Sequence, residues 1–483
     1  MASLDKTSVR EEVARLKADF EALARQGKVS PETGALFKSL LLIVELILSI
    51  FLERQTRKTS KNSSLPPSQT DKDETSLSRG AAVSKRSLGN QTVTNHRLNE
   101  QVTVVSVDTC DVCGSSLTGV ACTAHERRTK IDILFEKVVE HVDAQIKQCP
   151  DCDSTGKGLF PDDMPGPLQY GNGLKAYLVH LMVGQMLPLA RTQALTETLL
   201  GERLAESTLL SFISRLHQAL APWEHRAIHY LLSQPAIHVD ESGFRVDGSN
   251  HWIHVHAAGL VTLKRLHRKR GKEAIEDIHI IPRYGGTIIH DCWASYFAYE
   301  DCSHGLCGSH LLRELTFAVD ANQYAWAKQM KTLLKNAALT VSRAPDKCLS
   351  EADYAKLQKR YRTILTRGEK ELPPVPPRPS GKRGKLAKSE AHNLWERLKR
   401  HEQAVLLFAK APHVAFTNNR AERDLRMAKV KQKVSGCFRT VHYAEAYCRI
   451  SSYLQTMANQ GYNLLIAIQM ALAGSWPELK EPE

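Results

Sequence analysis

From Ala236 to Asp291 the chain spells an order of elements that few folds accept. AIHVDESGFRVDG opens it. Ile237 and Val239 alternate with His238 and Asp240, the period of a half-buried strand, and Asp240 closes that strand ahead of Glu241, Ser242 and Gly243. Trp252–Ala258, WIHVHAA, and Val261–Leu266 read as two further strands, so that the three form a meander. Lys272–Ile281 reads as a helix, and TIIH, Thr287–His290, as a short apolar strand ending at Asp291. A lone Asp after a strand is an ordinary turn residue. Repeated at two strand tips, it is a carboxylate fixed by the core yet open to solvent, where a metal-dependent enzyme holds a ligand.

Strand, strand, strand, helix, strand is the opening order of an RNase H-like α/β fold. There the first and fourth strands are neighbours, so Asp240 and Asp291 are expected side by side. Two like charges that close are unfavourable without a cation. A third acid is found in NNRAERDLR, where Asn418 or Asn419 can cap a helix with Glu422 in its first turns. Arg423, Arg426, Lys429, Lys431 and Lys433 surround that Glu. Alone it would be an ordinary salt-bridged surface residue. With the two aspartates it completes a set able to hold two Mg²⁺, with Mn²⁺ as a substitute, for phosphodiester chemistry, the bases suiting a phosphate backbone.

Between Asp291 and Glu422 lie 130 residues, too many for the fold's own fifth strand and helices. Residues 301–411 are therefore expected to be a helical insertion, with helices over Trp326–Leu339, Glu351–Leu365 and Ala391–Phe408. Its loop ELPPVPPRPSGKRGKLAK, Glu371–Lys388, is Pro-rich and then basic. It reads either as a solvated linker or as a segment offering Lys382, Arg383 and Lys385 to DNA. At the insertion's start, Cys307-x-x-His310 precedes the helical LLREL. With Cys302 and His304 it could form a metal cluster, or His310 could reach the active site; ordinary packing fits the leucines equally.

Upstream, Val9, Val13, Leu16, Phe20 and Leu23 form a heptad seam, and Leu36, Leu40, Ile43, Ile47 and Ile50 a second, with Gly27, Ser30 and Pro31 between. Residues 1–54 are expected to be a self-associating coiled-coil hairpin. Lys38 and Glu45 interrupt the apolar run, which argues against a membrane span. Residues 55–100 read as a disordered basic Ser/Thr/Pro linker. Residues 101–160 carry Cys110-x-x-Cys113 and Cys149-x-x-Cys152, 35 residues apart, the donor set of one structural Zn²⁺ in a small zinc-ribbon-like module. Alternating Ile131, Ile133 and Phe135 suggest strand between the pairs, and Cys122 or His125 could replace a ligand. Residues 165–230 read as helices, compatible with a helix-turn-helix DNA reader or with plain packing, and the latter fits their length better. Residues 231–300 and 412–458 would form the catalytic core, and 459–483 a C-terminal helix and tail. Met1–Asp19 is charged and lacks the apolar stretch of an export leader, so eleven cysteines suggest a reducing compartment. Lys plus Arg exceed Asp plus Glu by 65 to 52, a net +13 that suits a polyanion partner.

These motifs, in this order, resemble the DDE transposases of the insertion sequence 66 family. KNSSLPPS, Lys61–Ser68, resembles that family's linker signature, and the CxxC pairs its zinc-binding domain. YGNGLKAYLVHLMVGQMLPLARTQALTETLLGERLAESTL resembles the segment leading into its catalytic domain. HVDESGFRV, IIHDCWASY, CGSHLLREL and TNNRAERDLR resemble its catalytic motifs. Two features depart from the family: GNQTVTNHR stands where a Gly-rich stretch is usual, and Cys122 is extra. The resemblance implies a bacterial, cytoplasmic, nucleoid-associated enzyme that cuts element ends and joins them to target DNA. It implies Asp240, Asp291 and Glu422 as the triad, double-stranded DNA as partner, a homo-oligomer, and companion proteins of the same element. A catalytically silent DNA-binding descendant, or a nuclease that cuts without joining, would share the same carboxylates.

Overall fold

The computed structural model describes residues 6–59, 61–63, 103–130, 136–375 and 388–480. Two helices come first, α1 (Lys6–Arg25) and α2 (Pro31–Gln55). Ser30 caps α2 by accepting the Thr33 N–H, with Pro31 in the first turn. Phe20 stacks on Phe37 at 4.4 Å and Lys17 pairs with Glu45 at 2.8 Å, which makes the hairpin. Leu36, Leu40, Ile43 and Ile47 of the second seam point outward, Leu36 being 74% exposed. At 25 residues α2 is also longer than the apolar run suggested, and by length and composition it could cross a membrane. The lower end of α2 is instead seated on protein, as described below.

A small hairpin, β1 (Ile146–Gln148) with β2 (Thr155–Lys157), encloses the second CxxC pair. The longer strand expected between the pairs is not formed over residues 136–145, and Ile131, Ile133 and Phe135 lie outside the described residues. Helices α3 (Asn172–Val179), α4 (Leu189–Leu200), α5 (Glu206–Ala219) and α6 (Ala221–Ser233) follow. Leu209, Phe212, Ile213 and Leu216 of α5 sink into the main core, so this helix is used for packing.

The sheet has five strands, β3 (Ala236–Val246), β4 (Ser249–Ala258), β5 (Val261–His267), β6 (Thr287–His290) and β7 (Ser303–Leu306), in spatial order β5-β4-β3-β6-β7. The first three are antiparallel; β6 and β7 run parallel to β3. Between β5 and β6 lies α7 (Lys272–Ile278). β3 does not stop at Asp240 as expected but runs six residues further, because β4 keeps pairing with it down to Val246↔Ser249. What stops is its parallel neighbour: β6 ends at His290. β7 falls inside the stretch expected to be insertion, so the helical excursion begins one strand later.

That excursion comprises α8 (Gly308–Asn322), α9 (Ala325–Arg343), α10 (Glu351–Glu371), α11 (Glu390–Arg400) and α12 (Glu402–Lys410). The single helix expected over Ala391–Phe408 is two, divided at His401. These helices build a second core around Trp326, Tyr361 and Leu398. The chain leaves the sheet at Gly308 and returns at Phe416, and the Gly308 N–H donates to the Phe416 carbonyl at 2.7 Å. A Cβ on Gly308 would lie 2.3 Å from the Phe416 ring, so only glycine permits this approach. Helices α13 (Asn419–Ser435), α14 (Val441–Asn459) and α15 (Leu464–Leu472) complete the fold, α14 lying against β5.

The N-terminal arm is joined to the excursion. The Glu53 carboxylate accepts the N–H groups of Glu390 and Ala391 at the start of α11, and Asn322 donates to it. Ser49 meets Tyr324 at 3.1 Å, Lys58 pairs with Glu390, and Asn62 donates to Asp320. Thus the first residues of KNSSLPPS are fixed to α8; the remainder of that motif lies outside the described residues.

Candidate active site

Parallel register brings the two aspartates level. His238 of β3 faces Ile289 of β6, so Asp240 and Asp291 each sit two residues beyond one registered pair. The Asp240 carboxylate accepts its neighbour's N–H, from Glu241, at 2.8 Å, and Asp291 accepts the Trp293 N–H at 3.0 Å. Burial pushes the Asp240 carboxyl up to about 8, and the charges of Glu241, Asp291 and Glu422 push in the same direction. Asp291 and Glu422 are therefore both electrostatic neighbours of Asp240, although they come from different ends of the fold.

Glu422 reaches the spot because α13 is pinned. Asn418, fully buried, donates to the Val239 carbonyl at 2.8 Å and meets His238 Nδ1 at 3.0 Å, while its backbone N–H points to Cys307 Sγ at 3.1 Å. Burial lowers the His238 pKa, so the neutral ring donates Nδ1–H to the Asn418 oxygen. Asn418 does occupy the cap position, but its side chain makes no cap hydrogen bond. It ties β3, the start of α8 and α13 together instead. One turn on, Glu422 Oε1 lies 3.5 Å from His310 Nδ1 and 3.6 Å from Arg313. Burial and Arg313 hold His310 below its usual range, so it stands neutral beside the carboxylate, and neither Nδ1 nor Oε1 has a hydrogen bond.

Of the four expected for a Cys/His cluster, Cys307 and His310 come to this pocket with Glu422, all three ligand atoms lying within 4.8 Å of one another. Cys302 and His304 do not join them. The Cys302 thiol donates to the Tyr284 carbonyl, and His304 packs on His290 and Phe297. Cys110–Cys113 and Cys149–Cys152 each form a tight turn, with Gly114 N–H donating to the Cys110 carbonyl and Asp153 N–H to that of Cys149. Hydrogen bonding with Ser115 and Cys110 lowers the Cys113 thiol to about 7. Among the described residues the four sulfurs do not share one ligating group.

Behind the aspartates lies a ring of residues that the sequence does not single out. Glu241, 1% exposed at its side chain, accepts from Tyr296 at 2.6 Å and pairs with Arg270 at 2.6 Å; Arg270 in turn lies over Trp293 and Trp252 at 4.4 and 5.1 Å. The one signal for it is a second acid inside a strand whose other buried positions, Ser242 apart, are apolar. Asp424 is likewise buried, held by Arg420 and the Thr262 hydroxyl, and is structural. Of the bases around Glu422, Arg423, Arg426, Lys429 and Lys433 are exposed, while Lys431 is half-buried over the Phe438 ring. Lys382, Arg383 and Lys385 lie outside the described residues.

A family model described as the IS66 family of transposases matches residues 167–446, more than half of the chain. The chain belongs to the IS66 transposase family. The matched span of this IS66 transposase runs from the helices before the sheet into the first turns of α14, and so contains every strand of the five-stranded sheet and all three acids. Membership makes it a transposase, an enzyme of DNA transposition. No curated protein matches the chain.

Proposed function

We propose that the chain cuts the ends of a bacterial insertion element and joins the freed 3′-hydroxyls to target DNA, with Asp240, Asp291 and Glu422 as the acidic triad of an RNase H-like core. What supports this reading is that the charges of Asp291 and Glu422, from two other segments, both act on the Asp240 carboxyl, a repulsion that a bound cation would relieve. The donors are hard carboxylate oxygens, and Glu422 Oε1 lacks a hydrogen bond, so the pocket suits two Mg²⁺ or Mn²⁺. Bound there, the metal supplies an activated oxygen nucleophile and charge to steady the leaving oxygen. Asp240, Asp291 and Glu422 would be the residues that hold the ions. Arg313 pairs with Glu422, and the exposed bases of α13 grip the phosphate chain. A protein nucleophile is not required.

The rest of the chain serves this chemistry in the same reading. The two CxxC turns close on one structural Zn²⁺, for which the acidified Cys113 thiol is suited. The outward seam of α2 pairs chains, so that two DNA ends are handled together. The enzyme works in the bacterial cytoplasm at the nucleoid, alongside companion proteins of its element. A strand-transfer assay on the element's own ends tests the proposal. Asp240→Asn is expected to abolish Mg²⁺-dependent cleavage and joining while end binding persists. Joining at the wild-type rate would refute the triad; cleavage without joining in the wild type would make the enzyme a nuclease.

A further inference from the structure

We propose that Cys307, His310 and Glu422 form a second kind of metal site in the same pocket, one that takes a soft divalent ion, Zn²⁺, where the aspartates take Mg²⁺. The site is built by two helix beginnings that face each other. Cys307 follows β7 and holds the cap position of α8, and His310 comes three residues later in its first turn, so their side chains share a side. Glu422 enters from the first turn of α13. The sulfur, the imidazole nitrogen and the carboxylate oxygen all lie within 4.8 Å of one another, and Nδ1 and Oε1 are 3.5 Å apart.

Two observations favour an ion over mere packing. His310 Nδ1 and Glu422 Oε1 are both buried and neither makes a hydrogen bond, the two facing each other at 3.5 Å with Arg313 at 3.6 Å from the oxygen. The Cys307 sulfur accepts the Asn418 N–H at 3.1 Å at the positive end of α8. Thiolate plus imidazole plus one carboxylate is a zinc donor set, and three protein ligands leave the fourth position to water. Arg313, 3.6 Å from the same Glu422 oxygen, must yield to the ion, which makes this site weaker than one of four thiolates. On the triad reading, Zn²⁺ here withdraws Glu422 from the catalytic set and so inhibits turnover. The binding itself does not depend on that reading.

Zinc content of the full-length protein, equilibrated with Zn²⁺ alone and freed of excess, is the test. The wild type is expected to hold one equivalent more than Cys307→Ser or His310→Gln. A chain with both turns disabled, Cys110→Ser with Cys149→Ser, is expected to keep one equivalent. Equal zinc in the wild type and both pocket variants would overturn the site, as would a zinc-free turn-disabled chain. Should the pocket variants misfold by circular dichroism, the turn-disabled chain decides alone. Either outcome leaves the strand-transfer result on Asp240→Asn unaffected, so the two readings fail separately.

Discussion

Asp240 is a carboxyl held where its anion is unwelcome. Its carboxyl is raised from an unfolded value near 3.8 to about 8, so between those values the folded chain binds more protons than the unfolded chain. Stability from this group is full below about 4 and is lost as pH rises toward 8. Without divalent metal, the melting temperature is therefore expected to fall across that window. Mg²⁺ should restore it most at the alkaline end, and Asp240→Asn should flatten the slope and gain roughly 3 °C at pH 8 without metal. A pH series of thermal melts with and without Mg²⁺ checks all three. Glu241 belongs to the same scale. Burial and Asp291 raise its carboxyl, while Tyr296 and Arg270 hold the charged form. Glu241→Gln is expected to loosen Arg270 from its place over Trp293, seen as a change in tryptophan fluorescence, and to slow strand transfer less than Asp240→Asn does.

Among elements, α13 is the one whose placement decides whether Glu422 is useful. Its hold on the sheet is the buried Asn418 side chain. Asn418→Ala removes the side-chain partner of the Val239 carbonyl and of His238, a loss of about 2 kcal/mol. Because a shift of about 1 Å at a catalytic group costs about 10²-fold, strand transfer is expected to fall that far while DNA binding holds. Asn418→Asp should not rescue, since it cannot donate to a carbonyl. The strand order and the two strand-tip aspartates are legible in the sequence because alternation is local: Ile237, Val239, Ile288 and Ile289 declare their strands within a few residues. Asn418 and Glu241 are not legible, because what defines them is remote. Asn418 answers to residues some 180 positions earlier, and Glu241 to Tyr296 and Arg270. Read locally, one is a helix cap and the other a turn acid. The end of β3 escapes local reading for a related reason. Asp240 lies at the tip of its neighbour, and only pairing can reveal that.

Over the whole molecule, the +13 charge and the exposed face of α13 predict salt-sensitive DNA binding. Each of Arg423, Arg426 and Lys429 that contacts a phosphate should lower the log–log salt slope by about 0.9 when replaced by Ala, across all DNA sequences alike. Deleting residues 1–47 removes the outward seam but spares Glu53 and its grip on α11, so it should dissociate the assembly without melting the second core. An unchanged mass by light scattering would rule the arm out as the pairing device. The hydrogen bond between Gly308 and Phe416 bears on how such a chain can vary. More than a hundred residues depart and come home at a single joint, so the cost of closing the detour is met where it begins. Lengthening or trimming the far helices then leaves the acids where they are, and the excursion is free to acquire new partners while the chemistry beneath it stays still.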